Sequence, residues 1–168
     1  MSTADRTVVM GLGNPLMGDD GIGLAALERL RDEWILPDDV ELVDGGTWGM
    51  NLLPAVEDAT RLLLLDAIRT AEPAGTPVVL AHNQIPRLFA TKLSPHQIDL
   101  REVLALAELR GKLPGETVAM GLQPQEIAFG CPLSPPVERN LDLLVLLAIG
   151  QLEKWGHKCA REEGALRA

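Results

Sequence analysis

The sequence predicts a three-layer α/β sandwich around a mostly parallel sheet. Short apolar runs alternate with segments of helical periodicity, and the chain opens on a strand and closes on a helix. One internal run, Arg61–Ala67 (RLLLLDA), is apolar at nearly every position. Alternating strands and helices build a parallel sheet with helices on both faces, and a central strand of such a sheet has no solvated side on which to place polar residues.

Taken in order, Thr7–Leu12 (TVVMGL) reads as a buried strand that Gly13, Asn14 and Pro15 turn out of the sheet. Asp19 or Asp20 then offers an N-cap for a helix whose apolar face is Ile22, Leu24, Ala25, Leu27, Leu30 and Trp34, stopped at Pro37. Residues 40–43 form a second strand cut off by Asp44-Gly45-Gly46, residues 49–56 a short helix, and 61–67 the central strand. Residues 78–81 give a strand near an edge, because Pro77 has no N–H for a ladder. Residues 86–94 read as loop, and 96–109 as a helix with Pro95 beside its start. Residues 117–122 make another strand, 130–136 a loop, and 136–155 the longest amphipathic helix. The charged tail after Gly156 is expected to be frayed.

With 168 residues and 46% hydrophobic content the chain suits one domain, residues 1–168, with a real core. Aromatic residues make up 3% and Tyr is absent, so aliphatic side chains must build that core and base stacking is a poor fit. A net charge of -9 repels a phosphate backbone and argues against nucleic acid as a partner. Cys131 and Cys159 lack CxxC spacing and are expected to be free thiols. The polar opening residues 1–6 do not read as a secretory signal, and the apolar stretch 141–149 is too short to cross a bilayer. A soluble, cytoplasmic protein that binds no membrane is the expectation.

Asp66 is the least ordinary residue, because a carboxylate at the end of a Leu62–Leu65 strand needs a partner. In the doubly wound order 2-1-3, the first and third strands are neighbours, so Asp20 and Asp66 face one crevice at their carboxyl ends. Close carboxylates repel unless a proton or cation lies between them. His96, at the start of a later helix, can complete two oxygens and one nitrogen, a donor set suited to a borderline divalent cation such as nickel or zinc. Asp44 is a turn former or a general base. Gly11-Leu12-Gly13 fails as a dinucleotide fingerprint, since Leu16 stands at the third glycine position and the acidic pair follows. No GxSxG elbow, HExxH helix or Cys–His pair supports another hydrolase chemistry.

Gly11-Leu12-Gly13-Asn14 with Asp19-Asp20-Gly21-Ile22-Gly23, then Asp44-Gly45-Gly46-Thr47, Leu65-Asp66-Ala67 and Lys92-Leu93-Ser94-Pro95-His96-Gln97 occur in that order. Over most of its length the chain thereby resembles the nickel-iron hydrogenase maturation endopeptidases. The resemblance implies a five-stranded sheet with one antiparallel strand, for which 78–81 is the candidate. It also implies metal-binding positions at Asp20, Asp66 and His96; many members carry Glu where Asp20 stands, which keeps the charge and changes the reach. The implied reaction removes a C-terminal peptide from a hydrogenase large-subunit precursor. Nickel then arrives with the substrate, zinc or cadmium can stand in for it in vitro, and the chain acts as a monomer. A non-enzymatic nickel-binding chaperone using the same ligands is the alternative reading.

Overall fold

The computed structural model describes residues 5–46, 49–85 and 95–164, with residues 95–99 described by backbone alone. The elements are β1 (Thr7–Leu12), a 3-10 turn (Gly18–Gly21), α1 (Ile22–Glu33), β2 (Trp34–Ile35), β3 (Val40–Gly46), a 3-10 turn (Gly49–Leu52), α2 (Leu53–Asp58), β4 (Arg61–Ala67), β5 (Pro77–Ala81), a 3-10 turn (His82–Gln84), α3 (Pro95–Leu109), β6 (Glu116–Leu122), α4 (Pro135–Lys154) and β7 (Ala160–Arg161).

Five strands form one sheet in the order β3-β1-β4-β6-β5. All neighbours run parallel except β5, which is antiparallel to β6. The odd strand is the one the sequence marked, and Pro77 begins it at an edge. Alternate side chains of β1 and β4 enter two cores. Val9, Leu63 and Leu65 meet Ile22, Leu27 and Leu30 of α1 and Leu144, Ala148 and Leu152 of α4. Val8, Met10, Leu62 and Leu64 meet Val56 of α2 and Leu100 and Val103 of α3. Burial on both faces is why these strands read as unbroken apolar runs.

Three local expectations need correction. Neither Asp19 nor Asp20 caps α1: Gly21 holds the N-cap position without a side-chain bond, because a 3-10 turn precedes the helix. Helix α1 ends at Glu33, and Trp34 turns extended (φ -130°, ψ 140°) to pair with Arg161. The tail is therefore not frayed through residue 161. Gly156 (φ 94°) ends α4 in the left-handed conformation, with His157 N–H donating to Leu152 O at 3.0 Å. That turn sends His157 inward, where it is buried and its Nε2 lies 2.8 Å from Thr7 Oγ1. The expected loop 86–94 lies outside the described residues. None of the described helices is long and apolar enough to cross a membrane.

Candidate functional site

The carboxyl ends of β1 and β4 lie side by side, in register from Thr7 with Arg61 to Gly11 with Leu65. Helix α1 begins directly over them, and only a residue without a side chain fits at its second position. A Cβ on Gly23 would strike the carbonyl oxygens of Leu65 and Leu12. This close approach brings the Gly18–Gly21 turn against β4. Asp20 in that turn and Asp66 in β4 therefore stand at one end of the sheet, and both are buried, at 2% and 1% exposure.

Asp20 Oδ2 accepts the Asn14 N–H at 3.0 Å, so a carboxylate fills the backbone-lined turn where a dinucleotide fold would hold a phosphate. Asp66 Oδ1 accepts the Ala67 N–H at 2.8 Å. Asp44, opposite Gly11 in the β1–β3 register, is exposed. It lines a cleft of about 200 Å³ together with Pro15, Leu24, Glu28, Arg31 and Leu133.

His96 is the second residue of α3. Fifteen helical residues span about 22 Å, close to the seven-residue length of β6 that follows. The far end of α3 shares a cleft with Thr117 at the start of β6. The helix therefore begins near the level where the parallel strands end, and it packs against the Gly49–Leu52 turn that follows β3. The side chain of His96 lies outside the described residues, and among those described no three His, Cys, Asp or Glu groups could hold a metal ion.

A hydrogenase maturation protease family model matches residues 24–151. The hydrogenase 2 maturation protease of Escherichia coli is 36% identical over 152 residues, covering 90% of this chain and 93% of that protein. The chain belongs to the hydrogenase maturation protease family. The hydrogenase expression/formation protein HupD of Rhodobacter capsulatus is 36% identical over 154 residues, covering 90% of the chain and 73% of the relative. The solved structure of the maturating endopeptidase HybD from Escherichia coli matches with a TM-score of 0.90 at 33% identity, covering 95% of this chain and 99% of that one. As a hydrogenase maturation protease the chain is a peptidase, a hydrolase, rather than a non-enzymatic module.

Two residues of this family member escaped sequence reasoning. Asp19, read as one of two possible caps, is fully buried in a hydrogen-bond cluster with the β6–α4 connection. The doubled acid was the available signal, since one cap leaves the other residue unexplained. His157, assigned to a frayed tail, is buried at the opposite end of the sheet; the helix-ending Gly156 was its signal. Both cysteines are free, and burial, followed by the charge of Glu153, raises the Cys159 thiol above its usual range.

Proposed function

We propose that this protease removes the C-terminal extension of a nickel-loaded large-subunit precursor of a nickel-iron hydrogenase, acting in the cytoplasm as a monomer. The observation that carries the reading is the pair of buried carboxylates, Asp20 and Asp66, at the carboxyl ends of adjacent strands. In a doubly wound sheet this is where ligands bind, and two acids there call for a cation. With His96 on the helix that starts at the same end, they make an oxygen, oxygen and nitrogen set suited to nickel.

On this reading the ion belongs to the substrate. Asp20, Asp66 and His96 grip it and thereby fix the precursor so that the scissile bond lies along the cleft. Asp44 and Glu28 are the exposed carboxylates of that cleft, and Asp44, opposite Gly11 in the β1–β3 register, takes a proton from the attacking water. The division between buried and exposed acids supports these separate roles. Asp20 has one methylene fewer than Glu, so its reach depends on the backbone of its turn.

The test is precursor processing with and without nickel, followed by mass spectrometry of the released peptide. Release from the nickel-loaded precursor alone is expected, with zinc or cadmium as substitutes that show whether the ion's identity matters. Efficient cleavage of nickel-free precursor would overturn recognition through the ion. Nickel binding with no release over hours would overturn this precursor as the substrate.

A further inference from the structure

Asp19 is 0% exposed, more deeply buried than the residue beside it that carries the proposed chemistry. Its Oδ2 accepts the N–H of Gln125 at 2.8 Å, the N–H of Glu126 at 3.0 Å and the hydroxyl of Ser134 at 2.7 Å. Its Oδ1 accepts the N–H of Ser134 at 2.7 Å, and its own N–H donates to Glu126 O at 3.0 Å. Four donors thus converge on the two oxygens of one buried side chain. They reach across more than a hundred residues of sequence, from the turn after β1 to both ends of the β6–α4 connection. A second tie, from Gly130 N–H to Leu16 O at 2.9 Å, joins the same two loops farther out.

A cap or a solvated turn residue needs none of this. Burying a carboxylate among neutral dipoles is costly, and a pair of apolar residues could join two loops at less expense. The arrangement does one thing that apolar packing would not. Five hydrogen bonds through one residue fix both the direction and the rotation of a four-residue turn, and the next residue in that turn is Asp20.

We propose that Asp19 is a positioning residue, clamping the Gly18–Gly21 turn to the β6–α4 connection so that the Asp20 carboxylate keeps one orientation in the site. The inference rests on the reading of Asp20 as part of that site. Asp19 itself touches no substrate. Its effect falls on the reacting geometry, and a displacement of about 1 Å there can cost roughly 100-fold in rate.

The experiment compares Asp19→Asn, Ser134→Val, Ser134→Thr and Asp20→Asn in the full chain. Cleavage of nickel-loaded hydrogenase large-subunit precursor is measured alongside amide hydrogen exchange. Val and Thr have nearly the same shape, so that pair isolates the hydroxyl and decides the matter even if Asp19→Asn yields no folded protein. Ser134→Val is expected to lower kcat/KM about 10-fold or more, with exchange at the Gln125 and Glu126 amides faster by roughly 10- to 100-fold and β4 amides unaffected. Ser134→Thr is expected to restore both. Equal losses in the Val and Thr variants would reduce the role to packing, and wild-type kcat/KM in Ser134→Val would overturn the clamp. Full activity in Asp20→Asn would instead refute the site reading itself, a result to which the exchange data are indifferent.

Discussion

The two ends of the sheet both bury polar groups and do so by different means. At the end where the parallel strands begin, Thr7 is fully buried, its hydroxyl meets His157, and its N–H donates to Asp39 O at 2.9 Å. The His157 Nδ1 lies 3.5 Å from Asp39 Oδ1. Around this cluster Arg6 pairs with Glu41, and Arg61 with Asp5 and Glu116, at partly exposed positions. At the other end Asp19, Asp20 and Asp66 are all at most 2% exposed, and the partners described above are backbone N–H groups and one hydroxyl. The first end joins the opening strand to the segment after α4 through a hydroxyl and an imidazole, with ion pairs around them. The second gathers three buried carboxyl side chains where the parallel strands end. On the proposed reading the first end holds the fold and the second carries the chemistry, and substitutions at each should separate the two.

The largest effect is expected from Asp66→Asn. Peptide release should fall by about 100-fold or more, beyond the loss seen when only a group behind a ligand is changed. Activity retained at the wild-type level would merge the two ends into one structural role.

Next in size is His157→Ala at the opposite end. It leaves a void and strips the Thr7 hydroxyl of its partner, so urea unfolding should show a loss of about 2–3 kcal/mol. The kcat for precursor cleavage should not change. A fall in kcat at full stability would show that the two ends are coupled.

The smallest effect is expected from Asp5→Asn. The hydrogen bond from Arg61, then that from Thr60, holds the Asp5 carboxyl below its usual value of 3.8. A depressed folded-state value stabilises the protein above the unfolded value, and this contribution is lost as pH falls through the folded one. Wild type and Asp5→Asn should therefore differ slightly at neutral pH and converge in acid, and added salt should shrink the gap, since Asp5 is exposed. Thermal melts across pH 2–7 check this.

Much of this division was readable from residue order. The Leu62–Leu65 run announced a strand with two covered faces, Pro77 an edge, and the lone Asp66 a polar group that required a use. The doubly wound order followed because consecutive strands joined through helices have few ways to lie side by side. Asp20 and Asp66 reach the same end of the sheet for that reason. Local spacing was a weaker guide at element ends. Trp34 continues the periodicity of α1 and yet becomes a strand, since Ala160–Arg161 offers it a ladder that nothing nearby in sequence reveals.

Residue type and order thus determined which segments become strands, which faces they bury and which acids must be accounted for, because periodicity and apolar content act over a few residues. Tertiary structure decided what those acids do. Asp19 and Asp20 are chemically identical neighbours, and only the arrival of Gln125, Glu126 and Ser134 makes one a clamp and leaves the other at the strand ends beside Asp66. A carboxylate's role is set by the donors that surround it, and here they come from residues more than a hundred positions away.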